Sequence, residues 1–169
     1  TGLLKKTDIH HLVAREVKLL EFSINHPVTF GNIEQTVPVF TEPRQITLAL
    51  FALLSFLKTL VMQDSAIYID CGISEKCGFI EIKVDTREDL ITFFSNHSFE
   101  YKTEKHWPFL YIFKKILSRL PGSIEINKDA LFIFLPMYEY QDKASLSSLH
   151  KQVQLIKTET DELVARIQG

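Results

Sequence analysis

A long segment, residues 43–62, limits the folds open to this chain, because almost every residue in it is apolar or a good helix former. Pro43 stands where the first residue of a helix is tolerated, so the segment predicts a helix that begins there. Polar residues interrupt it, and it falls short of the roughly 20 clean apolar residues that a membrane span needs. We therefore expect a helix that is buried on most of its sides, covered by the rest of the chain.

The polar residues of this predicted helix follow a spacing of three to four residues. That spacing places Arg44, Thr47, Ser55 and Lys58 on one narrow side of the helix, with Phe51 in the middle. We call this side the polar stripe. A polar stripe on an otherwise buried helix indicates where a functional site would lie.

The other segments predict an α+β domain. Thr7 and Asp8 can cap a helix over residues 9–22, and a helix over residues 109–120 ends at Pro121-Gly122. Strand-like segments lie at residues 28–30, 36–40, 66–70, 79–84, 123–127 and 130–135. Residues 85–106 contain aromatic side chains but no regular period.

Composition argues against several classes of partner. The 169 residues have a formal net charge of -2 and no lysine- and arginine-rich block. Binding to a nucleic-acid backbone needs a concentrated basic surface, so we expect no direct nucleic-acid partner. No segment predicts a membrane span and no N-terminal stretch has the pattern of an export signal, so we expect no membrane association and a cytoplasmic location.

The two cysteines, Cys71 and Cys77, lie in a short stretch that we expect to connect two strands. A hairpin disulfide is geometrically conceivable there. Without an export signal the reduced state is favoured. Two cysteines with no histidine nearby do not predict a metal site.

From about Ser145 the pattern changes to a heptad repeat, so we expect a domain at residues 1–138 and a C-terminal arm at residues 139–169. Its seam positions span roughly three heptads; they are Leu146, Leu149, Val153, Ile156, Thr160, Leu163 and Ile167. β-Branched residues at the a positions favour a parallel two-stranded coiled coil, and hence a homodimer formed through this helix. The alternative is a helix folded back onto its own domain.

Three local stretches, together with the order of the elements, carry a family resemblance. They are the stretch at residues 80–90, in which Asp85 follows a strand, the helix and strands from 111 to Pro136, and residues 53–58 of the buried helix. Each resembles a part of the ATP-binding domain of sensor histidine kinases, whose superfamily includes gyrase-type and heat-shock ATPases. The resemblance covers residues 6–136 and implies a two-layer α/β sandwich with a mixed sheet.

The same resemblance implies that most of the nucleotide-binding residues are missing. Asp85 falls on the family's adenine-binding aspartate, although a lone aspartate after a strand is also a common turn residue. The family's glycines let the backbone approach the phosphates. Arg87 and Asp89 replace the first pair of these glycines, and Trp107 and Phe109 stand at the second glycine-rich loop.

Two positions on the buried helix also lack the residues that the family has there. Ser55 aligns with the asparagine that binds Mg²⁺ in the family, and Phe51 aligns with the polar residue one turn earlier. A phenylalanine ring cannot bind a metal. We therefore expect a degenerate nucleotide pocket that binds no cofactor and no metal, with Phe51, Trp107 and Phe109 filling or covering the former cavity. The alternative is that these rings are ordinary core residues of a different fold.

These expectations lead to the hypothesis of a non-catalytic signalling module that acts by dimerisation and by docking to a signalling protein, such as a receiver or kinase domain. Enzymatic activity is not required for that role. Two alternatives stay open. One is a divergent histidine kinase or histidine phosphotransferase fragment, with His10 or His11 as the phosphoryl acceptor. The other is the dimerisation domain of a transcription regulator.

Overall fold

The computed structural model describes residues 3–31, 35–96 and 107–138. In chain order the elements are β1 (Lys5–Asp8), α1 (Ile9–Ile24), β2 (Val28–Phe30), β3 (Pro38–Thr41), α2 (Pro43–Leu57), β4 (Ile67–Ser74), β5 (Cys77–Lys83), α3 (Leu90–Asn96), α4 (Trp107–Leu117), β6 (Ser123–Ile126) and β7 (Ala130–Pro136). The C-terminal arm and its heptad positions lie outside the described residues. None of the described helices has the length and apolar content that crossing a bilayer requires.

The main sheet has five strands in the order β2-β4-β5-β7-β6. β2 pairs with β4 in parallel, whereas the β4–β5, β5–β7 and β6–β7 pairs are antiparallel. β1 and β3 form a separate antiparallel pair. The predicted α+β class with a mixed sheet is therefore confirmed.

Helix α2 lies at the centre of the hydrophobic core, against one face of the main sheet. Residues along the strands point alternately to the two faces, so every second residue of β4, β5 and β7 points towards the helices. The fully buried residues include Ile46, Leu50, Leu53 and Leu57 on α2, and Ile67, Ile69, Ile80 and Ile82 on the sheet. The predicted burial of α2 on most of its sides is observed.

The helix is shorter than the apolar segment that predicts it. It ends at Leu57, where the hydrogen bonds change to a three-residue spacing. The backbone N–H of Thr59 donates to the carbonyl of Phe56, and that of Leu60 donates to the carbonyl of Leu57. The N–H of Met62 then donates to the carbonyl of Asp85 at 2.9 Å. The end of the apolar segment is thus extended backbone that pairs with the chain after β5.

The prediction that both cysteines lie in the connection between two strands is wrong. β4 continues to Ser74, so Cys71 lies inside that strand and Cys77 is the first residue of β5. Cys71 continues the buried side of the strand after Ile67 and Ile69, because a buried cysteine packs as a small apolar residue. Both cysteines are free, and burial raises the pKa of the Cys71 thiol, which stays protonated.

Three further elements differ from the sequence-based expectation. β1 and α3 were not predicted, because the four residues of β1 are mainly polar and α3 has only seven residues. α4 begins at Trp107, two residues earlier than predicted. These are short or terminal segments, in which contacts with the rest of the fold outweigh local propensity.

Asp8 joins the end of β1 to the start of α1. Its carboxylate oxygen accepts hydrogen bonds from the backbone N–H groups of His10 at 3.2 Å, His11 at 3.5 Å and Val37 at 3.0 Å. Two of these donors belong to the first turn of α1, and the third lies just before β3. Asp8 is therefore the predicted helix cap and also fixes the start of α1 to the β1–β3 pair.

Replacing Asp8 with alanine leaves three backbone N–H groups without their acceptor. We expect Asp8→Ala to lower the free energy of unfolding by about 1 to 2 kcal/mol, measured by urea denaturation followed by circular dichroism. Asp8→Asn retains a side-chain oxygen at the same position and is expected to lose less than about half of that amount. Equal losses in the two variants would contradict the capping role.

Candidate functional site

The polar stripe of α2 exists in the structure. Arg44 and Lys58 are exposed at its two ends, and Thr47, Phe51 and Ser55 are half-buried between them. Leu48, which is 51% exposed, lies on the same side of the helix. The side of α2 that faces away from the sheet is therefore a mixed surface with an aromatic ring in its middle.

Two polar side chains of the stripe are already engaged in holding the fold. The hydroxyl of Thr47 donates to the carbonyl of Pro43 at 3.2 Å, one turn earlier in the same helix. The ammonium group of Lys58 donates to the carbonyl of Ile24, the last residue of α1, at 2.5 Å. Lys58 thus satisfies an end carbonyl of α1, which has no partner within its own helix.

Phe51 contacts α4. Its ring meets the ring of Phe109 edge to face, with centroids 6.2 Å apart and an angle of 85° between the planes. Both rings are half-buried, and the core residues Leu110 and Phe113 anchor α4 beside them. This arrangement is one of the geometries that aromatic pairs prefer. Two of the aromatic residues singled out from the sequence therefore lie in direct contact.

Trp107 is the first residue of α4. Its backbone is described but its side chain is not, so the expected covering role of that ring stays a prediction. Pro108, at the second position of the helix, is exposed. Proline is tolerated in a first turn because no helical hydrogen bond is lost there.

Asp85 follows the last residues of β5 and is exposed. Its carboxylate accepts a hydrogen bond from the hydroxyl of Ser65 at 3.1 Å, and its backbone carbonyl accepts the N–H of Met62. Val61 and Thr86 form an isolated antiparallel bridge at the same place. Asp85 therefore joins the chain after β5 to the chain after α2, rather than only turning its own backbone.

Arg87 and Asp89 lie on the exposed connection that follows. Arg87 is exposed, and Asp89 caps α3, where its carboxylate accepts the backbone N–H of Thr92 at 2.7 Å and its carbonyl accepts that of Phe93 at 2.9 Å. The hydrogen bond from Thr92 lowers the pKa of the Asp89 carboxyl. Among the contacts of the described residues, none joins Asp85, Arg87 or Asp89 to the Phe51–Phe109 pair.

A second aromatic group holds α3 against α2. The rings of Phe93 and Phe94 lie 5.9 and 6.3 Å from the ring of Phe56 and 5.4 Å from each other. Phe56 is only 2% exposed. Aromatic contacts therefore join α2 to both α3 and α4, and they use different rings in the two cases.

Sequence comparisons give no relative. No family model matches the chain, and no curated protein matches it. Solved structures do match. The catalytic domain of the histidine kinase ThkA, in a nucleotide-free form, has a TM-score of 0.64 at 14% identity over 80% of this chain and 96% of that chain. The Acinetobacter baumannii histidine kinase AdeS has a TM-score of 0.59 at 15% identity over 82% of this chain and 70% of that chain.

Full-length ShkA, solved in complex with AMPPNP, has a TM-score of 0.63 at 11% identity over 85% of this chain and 34% of that chain. This chain has the fold of a histidine kinase catalytic domain. The resemblance first inferred from local sequence patterns is therefore confirmed at the level of the fold.

In this histidine kinase fold, α2 carries the polar stripe and contacts α4 through Phe51 and α3 through Phe56. Sequence reasoning identified Phe51 and Phe109 but missed Phe56, Phe93 and Phe94. The signal for the missed group was present, because Asp89 stands three residues before Thr92, where a capping aspartate would stand, and two phenylalanines follow.

The two histidines considered as phosphoryl acceptors lie in the first turn of α1. The His10 ring packs against Phe30 with centroids 5.1 Å apart, and its Nε2 is buried with no hydrogen-bond partner among the described residues. His11 is exposed. Within residues 3–31, 35–96 and 107–138, no three His, Cys, Asp or Glu side chains are grouped as metal ligands.

The cap of α3 gives a pH prediction. The folded-state pKa of Asp89 lies below its ordinary value of 3.8, so the carboxylate stabilises α3 above that pH and the contribution is lost as the pH falls through the lowered pKa. We expect the Thr92 amide to exchange its hydrogen faster in Asp89→Ala, and the difference from the wild type to shrink as the pH falls below 3.8 and through the lowered pKa.

Hydrogen exchange measured by NMR over a pH series checks this expectation, after correction for the intrinsic exchange rate. Asp85→Ala is a matched control, because it removes an exposed carboxylate on the same connection that does not cap α3. The capping account is wrong if the two variants change the Thr92 amide equally.

Proposed function

We propose that this chain is a non-catalytic signalling module, in which a histidine kinase catalytic fold serves protein–protein docking and dimerisation and does not bind ATP. The Phe51–Phe109 contact carries the proposal. By the sequence resemblance, Phe51 stands one turn before the family's metal-binding asparagine and Phe109 stands in its second glycine-rich loop. The rings meet edge to face with centroids 6.2 Å apart.

A ring pair at these positions is incompatible with the chemistry of a Mg-nucleotide. Magnesium needs oxygen ligands in a near-ideal octahedron, and phosphates need backbone N–H groups that a glycine-rich loop leaves accessible. Phe51 and Phe109 supply neither. Separating them would give up an aromatic contact worth about 0.5 to 1.5 kcal/mol beyond its buried area, in addition to exposing apolar surface.

The connection after β5 supports the same proposal. Where the family has a glycine, this chain has Asp89, whose carboxylate accepts the Thr92 N–H at 2.7 Å as the cap of α3. The phosphates of a nucleotide approaching the backbone there would meet the negative charge of the Asp89 carboxylate, which already caps α3. The other glycine position holds Arg87, whose side chain is exposed.

Asp85, a position that by the resemblance retains the family's residue type, does not make a site by itself. Its carboxylate already accepts a hydrogen bond from Ser65 at 3.1 Å. Ser55, at the position of the metal-binding asparagine, offers one hydroxyl on a half-buried helix side. By the resemblance Asp85 is an adenine-binding position and not a metal ligand, so Ser55 alone would offer Mg²⁺ one hydroxyl oxygen of the six that its octahedron needs.

The dimerisation of the proposed module is inferred from the sequence. The seam from Leu146 to Ile167 favours a parallel homodimer, and three heptads alone are marginally stable, so contacts between the domains would add to the coil. Relatives in fold are histidine kinases, which supports a place in two-component signalling with a receiver or kinase domain as partner, in the cytoplasm. Such a docking role requires the fold and does not require enzymatic activity.

Nucleotide binding tests the first half of the proposal. We expect no heat of binding and no rise in melting temperature with Mg-AMPPNP or Mg-ATP at millimolar concentration, because a ligand that binds only the folded state must raise its stability. ShkA, which was crystallised with AMPPNP, serves as the positive control in the same buffers. Saturable binding at micromolar nucleotide would contradict the proposal. Phosphoryl transfer from radiolabelled ATP to His10 or His11 would support the divergent kinase instead.

The mass in solution tests the second half. We expect sedimentation equilibrium to give twice the chain mass of 19.5 kDa, and Ile156→Asp to shift the population to the monomer because it places a charge in the apolar seam. Thr158→Asp adds the same charge at the heptad position that points away from the seam and should stay dimeric.

A monomeric wild type would contradict the dimer. A lower melting temperature in Ile156→Asp with no change of mass would support the alternative in which the arm folds back on its own domain.

A further inference from the structure

The strand β6 lies at one edge of the main sheet. It pairs with β7 and with no other described strand, so one side of its backbone faces away from the sheet. A free strand edge presents N–H and C=O groups in the spacing of a sheet, and it can therefore pair with another extended chain. Which residues present these groups follows from the hairpin between β6 and β7.

The hairpin fixes the direction of each backbone group. The N–H of Asn127 donates to the carbonyl of Ala130 at 2.8 Å across a two-residue turn. Positions in an antiparallel pair alternate between hydrogen-bonded and non-bonded, so Glu125 bonds to β7 and its neighbours do not. The backbone groups of Ile124 and Ile126 consequently point outward from the sheet.

A cavity of about 280 Å³ adjoins the same strand. It lies between the C-terminal end of α4 and the β6–β7 hairpin, and its lining includes Lys114, Leu117, Leu120, Ile124, Ile133 and Leu135. Ile124 lies opposite the buried Ile133 in the hairpin, so its side chain is on the helix side of the sheet, yet it is 39% exposed. The helix side of the sheet is therefore incompletely covered at this edge.

The free edge and the cavity fit one ligand geometry. On an antiparallel strand added to β6, the residue opposite Ile124 would exchange two backbone hydrogen bonds with it. Residues that are opposite each other in a sheet point to the same face. The side chain of that residue would thus point to the helix side, where the cavity lies. One extended segment can use both features at once.

Charge indicates the kind of segment. Lys114 lines the cavity together with the apolar side chains of Leu117, Leu120 and Ile133, and burial lowers the pKa of its ammonium group. Lys115 in the last turn of α4 and Arg119, two residues after the helix ends, are exposed outside the cavity lining. An acidic residue in a bound segment would be attracted to this cluster. Glu125 points to the opposite face of the sheet by the alternation of the strand.

A second copy of this chain fits the edge less well. Full overlap of two antiparallel β6 strands, with Ile124 opposite Ile126 of the other copy, places the two Glu125 side chains directly opposite each other. Like charges in that position are destabilising. The two basic ends of α4 would also be brought to the same edge.

We propose that β6 is a binding site for an extended, acidic segment of another protein, which adds to the sheet as an antiparallel strand and inserts one bulky aliphatic side chain into the cavity beside α4. This mode of recognition takes affinity from the backbone and specificity from the side-chain pocket. The proposal goes beyond the proposed function and does not depend on whether the chain binds nucleotide.

A phage-displayed library of random linear octapeptides, selected on the full chain, tests the proposal. We expect enriched peptides to share one leucine or isoleucine with Asp or Glu nearby. In NMR hydrogen exchange, a synthetic peptide of that sequence should protect the Ile124 and Ile126 amides, which exchange rapidly without it. Methylating the backbone nitrogen of the aliphatic residue should weaken binding about tenfold, the effect of losing one hydrogen bond.

Two variants test the protein side. Ile124→Pro removes an outward N–H without removing a bond to β7, a position at which an edge strand accepts proline; it should also bind about tenfold more weakly. Lys114→Glu should bind the acidic peptide more weakly, whereas Lys76→Glu in the exposed β4–β5 turn should not. Melting temperatures establish whether the variants fold. If a variant does not fold, the methylated peptide still tests the backbone hydrogen bond on the wild-type chain.

The proposal is overturned if the library yields no enriched peptide, or if the methylated peptide binds as well as the parent. It is also overturned if the Ile124 and Ile126 amides are protected in the peptide-free chain. Protection that grows with protein concentration would assign the edge to a second copy, and protection independent of concentration would assign it to the chain itself.

Discussion

The burial of α2 against the helix side of the main sheet is the interaction on which the rest of the structure depends. A helix that is apolar on most of its sides has no stable exposed state in water, because each large side chain left in water forgoes about 1.5 to 3 kcal/mol. Ile46, Leu50, Leu53 and Leu57 are fully buried. The sheet covers one side of the helix, and α1, α3 and α4 must lie close enough to cover the others.

That requirement shapes the candidate site. The polar stripe lies on the side of α2 that faces away from the sheet, and the fold already uses much of it. Lys58 holds the end of α1, and Phe51 packs against Phe109 of α4. Contacts of this kind stabilise the fold without a ligand.

The solved relatives share the fold at 11% to 15% identity. Such a likeness is carried by the pattern of buried positions and by strand order, since packing tolerates many apolar exchanges that keep volume and pattern. The residues that perform chemistry are few and lie on connections and helix ends. By the sequence resemblance, we propose that this chain differs from the family at such places, with Arg87 and Asp89 after β5 and aromatic residues at the start of α4. Fold and function therefore have to be argued from different residues.

The sequence by itself determined the elements whose signals are local: Pro43 at the start of α2, Asp8 at the start of α1, and the alternating strands β5 and β7. It also indicated Phe51 and Phe109 through family resemblance. Only the tertiary structure decided that β2 pairs with β4 and that Cys71 lies within a strand. It also decided that α3 packs against Phe56 and that β6 has a free edge beside a cavity. Periodicity and capping act over one or two turns, whereas strand partners and burial depend on residues far apart in the chain, which a local pattern does not specify.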